Sequence, residues 1–214
     1  MATQLFDCRR IDERRRGIRA AIDAVQRGDL VVLPTDTVYG VGADAFSPVA
    51  VSNVLAAKGR GRDMPSPVLV GSWQTLDGLV LTMPAAAREL IEAFWPGGLT
   101  LVVEHAPSLA WDLGDSRGTV AVRMPLHPVA LEVLTATGPM AVSSANLTGH
   151  APPPTAVEAR DQLGDAVEVY LEAGPSAGQV PSTIVDLTGE PPRVLREGAI
   201  ALGELREVVP DLVA

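Results

Sequence analysis

Short apolar runs that end in proline, glycine or polar residues constrain this chain more than any other feature of its sequence. Leu30–Leu33 is such a run and is followed by Pro34, and the six-residue segments Leu99–Glu104 and Thr119–Met124 are also of strand length. Other segments show helical periodicity: in Asp12–Arg27, isoleucine and valine recur on one face and arginines lie opposite. This irregular alternation predicts an α/β (α+β) fold, a twisted, open mixed sheet flanked by helices.

The remaining turn signals predict the other elements of this sheet fold. Further helices are predicted from Pro48 to about Ala57, Pro84 to Phe94, Pro128 to Thr137, Thr155 to Leu163 and Leu202 to Val209, with a brief one capped by Ser72. Further strands are predicted at Pro67–Gly71, Met140–Ser143, Val167–Leu171, Thr183–Leu187 and Arg193–Arg196. The 214 residues show no repeat and no clear linker, so we expect one domain over residues 1–214 with a core at about 12–209.

Cysteine and histidine usage excludes several kinds of site. The single cysteine, Cys8, permits neither an internal disulfide nor a cysteine-based zinc cage. The histidines His105, His127 and His150 match no zinc-ligand spacing, and the Gly-x-Ser-x-Gly element of serine hydrolases is missing. Residues 1–16 are polar and arginine-rich, and no apolar stretch is long enough to span a bilayer, so we expect a cytoplasmic protein.

A glycine pattern after the first apolar run raises the question of dinucleotide binding. Gly40-x-Gly42-x-x-Ala45 superficially matches the Rossmann fingerprint. However, the next helix begins only at Pro48, and Lys58 stands near the position where a ribose-binding acid is needed. A P-loop is excluded as well, because Lys58 is the only lysine and lacks the following serine or threonine.

The charge distribution favours a local anion site over a broad nucleic-acid surface. The formal net charge is -9, which opposes tight binding of a phosphate backbone. Within this acidic chain Lys58, Arg60 and Arg62 form a tight basic run, which suits a triphosphate because its charge needs several positive partners. The only lysine of the chain falls in this run, either by chance or because the position requires a compact ammonium.

Four polar segments stand where predicted strands or helices end. They are Pro34–Gly40, Lys58–Asp63, Val142–Asn146, and Ser182–Thr183 together with Arg196–Gly198. Each segment alone is better explained by ordinary turn chemistry. Because ligands of open α/β sheets bind where strand ends meet loops, the four together predict a shared ligand site.

These segments and the sequences around them resemble the YrdC-like family, the threonylcarbamoyl-AMP synthases of tRNA modification. The matching elements occur in family order over nearly the whole chain and are Leu33–Gly42, Lys58–Arg60, Trp95–Thr100, Val120–Pro125, Ser144–Gly149, Ser182–Asp186 and Val194–Arg196. The combination is highly specific, although each element alone is not. The length of the chain resembles the single-domain form of the family.

The resemblance implies a reaction in which L-threonine, bicarbonate and ATP give L-threonylcarbamoyl-AMP and pyrophosphate. It also implies a concave, charged cavity in the sheet fold, and Mg²⁺ bound mostly through ATP oxygens rather than by a protein metal cage. The product would serve a separate transferase that modifies adenosine 37 of tRNA, and direct binding of tRNA would be weak at most.

The resemblance also assigns roles to individual residues. It places on ATP the residues Lys58, Arg60, Arg62, Thr119, Ser144, Asn146 and Arg196, and it assigns catalysis to Lys58, Arg60, Ser144 and Asn146. It places in the threonine pocket Thr35, Arg123 and Ser182, where Arg123 pairs with the carboxylate. In this chain Gly61–Pro67 replaces the Pro and Asn-Pro-Leu continuation of many relatives, so the choice between Arg60 and Arg62 as phosphate ligand stays open.

Two other functions stay open on the sequence. An RNA-binding protein of this family could use the same cavity without synthase activity, although the net charge of -9 disfavours it. A carbamoyl-transfer module, as in hydrogenase-maturation proteins, is the second alternative. The missing acylphosphatase and zinc-finger-like segments argue against that second function.

Overall fold

Helices and strands alternate along residues 3–214, the part of the chain that the computed structural model describes. The helices are α1 (Ile11–Arg27), α2 (Pro48–Lys58), α3 (Ala85–Phe94), α4 (Pro128–Thr137), α5 (Ala156–Leu163) and α6 (Leu202–Val208), with short 3-10 helices at Trp73–Gly78 and Gly164–Ala166. The strands are β1 (Gln4–Asp7), β2 (Val31–Leu33), β3 (Gly40–Asp44), β4 (Val68–Leu69), β5 (Leu99–Glu104), β6 (Thr119–Arg123), β7 (Met140–Ser144), β8 (Val169–Glu172), β9 (Thr183–Asp186) and β10 (Arg193–Arg196).

These strands form one sheet in the order β1-β8-β2-β3-β7-β4-β6-β5-β9-β10. β8 runs parallel to both β1 and β2, and β5 runs parallel to β9. β3 lies antiparallel between β2 and β7, and β5 is antiparallel to β6. The predicted α/β fold, an open mixed sheet flanked by helices, is therefore confirmed.

Side chains alternate between the two faces of the sheet and bury separate helix layers. In β8, Val169 and Leu171 pack with Ile18 of α1 and Val133 of α4. Tyr170, between them in sequence, packs on the opposite face with α2 and α5. A third apolar cluster joins α3 and α6 to β5, β6 and β9. The core thus lies on the faces of the sheet, which leaves the loops at the strand ends to build a site.

The helices and strands that the sequence predicts all occur, with ends that agree to within two residues. The brief helix capped by Ser72 is the 3-10 helix Trp73–Gly78, and the Ser72 hydroxyl accepts a hydrogen bond from Gln74 N at 3.3 Å. Within residues 3–214, no helix is both long enough and apolar enough to cross a membrane.

Local signals determine both ends of α2. Ser47 caps the helix by accepting a hydrogen bond from Ala50 N at 3.3 Å, and Pro48 occupies the first turn. At the other end, Gly59 adopts a left-handed conformation with a φ of 62°. The helix therefore ends on Lys58, whose side chain contacts the end of β7.

β1 and β3 are absent from the sequence-based predictions. β1 is a four-residue edge strand, and β3 contains Gly40 and Gly42, which weaken the strand signal. In the structure, a Cβ at either glycine would lie 2.5 Å from the side chain of Val142 on β7. The glycines therefore allow close packing between neighbouring strands, and they do not form the phosphate-binding turn of a dinucleotide site.

Replacing Gly42 by alanine is expected to destabilise the fold. The new methyl group would lie 2.5 Å from Val142 and 2.7 Å from the backbone oxygen of Ala141, so β3 and β7 would have to move apart. We expect the free energy of unfolding, measured by urea denaturation, to fall by about 1–3 kcal/mol. Gly203→Ala is the matched control, because no atom outside its own helix lies within 4 Å of the added methyl group. Equal stability of the two variants would contradict the packing argument.

Candidate active site

The polar segments at the strand ends converge on one cavity of about 350 Å³. All four predicted segments contribute to its wall, and the predicted site residues found there are Thr35, Arg60, Arg123, Ser144, Asn146, Ser182 and Arg196. Part of this convergence follows from the sheet register, because β3 pairs with β7 so that Gly40 lies opposite Ser144. The structure therefore brings together most of the residues that the sequence indicates.

Arg60 and Arg196 line the cavity without a carboxylate partner among residues 3–214. Arg60 Nη1 donates to Ser143 Oγ at 3.1 Å, while its buried Nε has no hydrogen-bond partner in the described chain. Arg196 donates from Nε and Nη2 to the backbone oxygen of Ser182 at 3.0 and 2.7 Å. Burial lowers the pKa of both guanidinium groups. For Arg60 the Asp63 carboxylate acts in the opposite direction. Two positive charges without a salt-bridge partner in the described chain favour an anionic ligand in this cavity.

Arg123 lies deeper in the wall and is only 6% exposed. Its Nε donates to the backbone oxygen of Gly97 at 2.8 Å, Nη1 to Thr37 Oγ1 at 2.7 Å, and Nη2 to Asp36 Oδ1 at 2.7 Å. Burial lowers the pKa of Arg123, and the Asp36 carboxylate acts in the opposite direction. A guanidinium carries five N–H groups, so two of them stay available to a ligand.

Hydroxyl groups beside Arg123 form a hydrogen-bonded chain with a defined direction. Because Arg123 Nη1 donates to Thr37 Oγ1, the Thr37 hydroxyl can donate onward to Thr35 Oγ1 at 3.1 Å. Thr35 Oγ1 also accepts from Thr37 N at 3.1 Å and donates to Val38 O at 2.7 Å. These bonds use both lone pairs and the hydrogen of the Thr35 hydroxyl. A ligand beside Thr35 can therefore contact only the backbone and the methyl group of Thr35.

Lys58 is placed differently from the arginines. Its side chain is 1% exposed and, among the described residues, does not belong to the cavity wall. The ammonium donates to the backbone oxygens of Ser144 and Asn146, the latter at 2.6 Å. Burial, with a smaller contribution from the positive charge of Arg60, lowers the pKa of Lys58 to about 8. In this structure Lys58 thus holds the loop that carries Ser144 and Asn146.

Arg62 and Thr119 lie apart from the cavity wall in the part of the chain that the structure describes. The Arg62 side chain is 56% exposed, and its guanidinium pairs with Asp112 at 2.8 Å and Asp115 at 3.5 Å. Thr119 Oγ1 donates to the backbone oxygen of Ser116 at 2.8 Å. The geometry therefore favours Arg60 over Arg62 as the arginine next to a ligand. The assignment of Arg62 and Thr119 to ATP stays a prediction.

The wall also contains four polar residues that sequence reasoning did not single out, Thr37, Thr100, Ser143 and His150. Thr37 and Ser143 fall inside the predicted polar segments, but nothing in the sequence ranks them above their neighbours. His150 comes to the cavity because Asn146 Nδ2 donates to its backbone oxygen at 2.8 Å, a contact that no sequence pattern indicates. Thr100 ends one of the family elements, which is the signal that could have found it.

Removing the charge of Asp36 is expected to destabilise the protein strongly. Asp36→Asn keeps the size of the side chain but leaves the buried Arg123 without its counter-charge. Breaking a buried pair costs roughly 3–5 kcal/mol, and we expect about 3 kcal/mol here because the Asp36 side chain is 18% exposed. The matched variant Asp112→Asn breaks the exposed pair with Arg62 and should change the unfolding free energy little. Similar urea midpoints for the two variants would refute the role of Asp36 as the counter-charge of Arg123.

Comparison with known proteins identifies relatives over nearly the whole chain. The family model of the Sua5, YciO and YrdC proteins, described as "Telomere recombination", matches residues 23–198. A relative from Mycobacterium tuberculosis, provisionally named a threonylcarbamoyl-AMP synthase, is 63% identical over 207 residues, which cover 97% of this chain and 95% of the relative. The threonylcarbamoyl-AMP synthase of Pyrococcus abyssi is 36% identical over 196 residues, which cover 91% of this chain and 58% of that protein.

Solved structures show the same fold. Pyrococcus abyssi Sua5 complexed with L-threonine matches with a TM-score of 0.88 at 36% identity, and the match covers 92% of this chain and 58% of that longer chain. This chain thus spans less than two thirds of that protein. Escherichia coli YciO matches with a TM-score of 0.83 at 25% identity, over 95% of this chain and 100% of the other. With a family match across most of its length and relatives well above 30% identity, the chain belongs to the Sua5/YciO/YrdC family.

Proposed function

We propose that this chain is an L-threonylcarbamoyl-AMP synthase, which makes L-threonylcarbamoyl-AMP and pyrophosphate from L-threonine, bicarbonate and ATP. The observation that carries the proposal is the single cavity in which Arg60, Arg123 and Arg196 meet Ser144 and Asn146. The 36% identical Pyrococcus abyssi protein is named for this activity, and its structure holds L-threonine, which supports the same substrate class here.

The nucleotide part of the cavity is proposed at Arg60, Arg196, Ser144 and Asn146. A triphosphate needs several positive partners, and the two arginines have no carboxylate partner within residues 3–214. Asn146 Oδ1 is buried without a hydrogen-bond partner in the described chain, so it is available to accept from a base or a sugar hydroxyl. These features support a nucleotide with its phosphates toward the arginines.

The threonine part is proposed at Arg123, Ser182 and Thr35. The two uncommitted N–H groups of Arg123 suit the carboxylate of an amino acid, since such charge-assisted bonds are about twice as strong as neutral ones. The Ser182 hydroxyl lies between Arg196 Nη2, at 3.2 Å, and Thr100 Oγ1, at 2.8 Å. A small hydroxylated side chain can be distinguished by such a fixed hydroxyl group.

The proposed reaction requires little covalent chemistry from the protein. The amine of threonine takes up CO₂ from bicarbonate, which releases water and leaves a carbamate. A carbamate oxygen then bonds to the α-phosphorus of ATP while the bond to the leaving pyrophosphate breaks. Positioning and charge neutralisation provide most of the catalysis in such transfers, and Arg60 and Arg196 would offset the charge that grows on pyrophosphate.

Mg²⁺ fits this site through the nucleotide. The cavity wall formed by the described residues contains no Asp or Glu side chain, so ATP oxygens would supply the anionic ligands that Mg²⁺ prefers. When bound, the ion would neutralise part of the phosphate charge. The arginines of the wall would hold the same phosphates from the protein side.

The proposed reaction also implies partners beyond its substrates. The product is proposed to pass to a separate tRNA threonylcarbamoyl transferase in the cytoplasm, where tRNA adenosine 37 is modified. Direct binding of tRNA to this chain is proposed to be weak at most, because its net charge of -9 repels a phosphate backbone.

Release of pyrophosphate tests the proposed function. The protein is incubated with ATP, bicarbonate and each amino acid in turn, and we expect release that depends on both L-threonine and bicarbonate. Arg196→Gln should lower kcat/KM by about 100-fold, since one preorganised donor typically contributes on the order of 10²–10³ in rate. Arg19 is an exposed arginine on α1, so Arg19→Gln is the matched control and should keep the parental rate. Salt-dependent retention of tRNA without threonine-dependent release would favour an RNA-binding function instead.

Thr100 offers a finer test of the threonine pocket. It is buried, and its hydroxyl pairs with Ser182 Oγ at 2.8 Å. If Thr100 and Arg196 both donate to Ser182 Oγ, the Ser182 hydrogen points to the substrate. Thr100→Val should then raise the KM for threonine about three- to tenfold and leave the KM for ATP within about twofold, because one neutral hydrogen bond contributes about 0.5–1.5 kcal/mol. Thr100→Ser should restore the KM, and equal effects of both variants would refute this role.

A further inference from the structure

Lys58 contacts one loop of the site from outside the cavity wall. We call Ser144–Thr148 the 144–148 loop. The Lys58 ammonium donates to the backbone oxygens of Ser144 and Asn146, and Ser144 Oγ is 3.5 Å away. The backbone oxygen of Lys58 accepts from Thr148 N at 2.9 Å. The ammonium and the backbone oxygen of Lys58 therefore both bind the same loop.

Lys58 directs its donors toward the protein itself, with hydrogen bonds to two backbone oxygens. An ammonium carries three N–H groups and no acceptor, and the three oxygens next to Nζ all belong to the 144–148 loop. The side chain is 1% exposed and is outside the cavity wall formed by residues 3–214. Because Lys58 is 1% exposed and lies outside this wall, a phosphate could reach the ammonium only if the 144–148 loop moved.

The 144–148 loop supplies polar groups to the cavity wall. Ser144 and Asn146 line the cavity directly. Asn146 Nδ2 donates to Leu147 O at 2.9 Å and to His150 O at 2.8 Å, which places His150 at the same wall. Asn146 Oδ1 is left without a partner in the described chain and is available to a ligand. The conformation of this loop therefore determines three contacts of the cavity wall.

We propose that Lys58 is a positioning residue that acts on the nucleotide through the 144–148 loop and does not itself bind phosphate. The proposal rests on the proposed function, in which that nucleotide is ATP. The phosphate charge is then met by Arg60 and Arg196, which line the cavity. A compact ammonium needs less room between two converging carbonyls than the larger planar guanidinium of an arginine, which favours a lysine at this buried position.

Nucleotides of increasing charge distinguish positioning from direct phosphate binding. Binding of adenosine, AMP and ATP to the full chain is measured by calorimetry for the parent, Lys58→Met and Arg60→Met. We expect Lys58→Met to weaken all three ligands by a similar factor of about ten, because the loop that holds the nucleoside is loosened. Arg60→Met should weaken ATP far more than adenosine. A loss of ATP affinity in Lys58→Met with unchanged adenosine affinity would overturn the proposal.

Hydrogen exchange provides a readout that needs no ligand. In the ligand-free protein, we expect the amides of Asn146 and Thr148 to exchange about tenfold faster in Lys58→Met than in the parent, with β5 unchanged. Unchanged exchange in the loop would refute the positioning role. If the parent bound no nucleotide at all, the proposed function would fail, while this measurement would still decide whether Lys58 orders the loop.

If Lys58→Met does not fold, Lys58→Arg provides an independent test of the same proposal. A direct phosphate ligand would be replaced well by arginine, so ATP affinity would persist. A positioning role predicts a loss of affinity for adenosine and ATP alike, because the larger fork does not fit between the Ser144 and Asn146 carbonyls. Retention of full ATP affinity in Lys58→Arg would count against the proposal.

Discussion

The pairing of β3 with β7 is the constraint on which the site depends. Its register places Gly40 opposite Ser144 and Gly42 opposite Val142, and the missing side chains of the glycines leave the space that Val142 occupies. The polar segment that enters β3 and the loop that leaves β7 therefore meet at the same end of these two central strands. A slip of one residue would turn every side chain of β7 to the opposite face and separate these two parts of the cavity.

Nearby acids neutralise the arginines around the site to different degrees. Arg62 is neutralised on the surface by Asp112 and Asp115. Arg123 is buried with Asp36, so part of its charge is cancelled and its orientation is set. Arg60 and Arg196 have neither arrangement among the described residues, and they line the cavity. The position of the acids, more than the number of basic residues, therefore determines which arginines stay available to an anion.

Sequence patterns predicted the sheet fold and the convergence of the polar segments because both follow from local rules. Apolar runs predict the strands, and helix caps predict where helices begin. The polar segments at the ends of strands predict the site. β3 was missed because its glycines serve packing between strands, which no local pattern shows. The sequence gives no reason to assign different roles to Arg60 and Arg62. They differ because Asp112, about 50 residues further along the chain, pairs with Arg62 in the folded protein. The direction of the Lys58 ammonium likewise depends on a loop 86 residues further along the chain.

The burial of Lys58 also matters for the chemistry of the proposed product. L-threonylcarbamoyl-AMP is a mixed anhydride of a carbamic acid and a phosphoric acid, and such anhydrides acylate free amines. A deprotonated lysine is a nucleophile of this kind, whereas arginine stays protonated. The only lysine of this chain is 1% exposed and engaged with backbone oxygens, and the other side chains that carry the formal positive charge are arginines. An enzyme built in this way offers its own product no accessible lysine to modify.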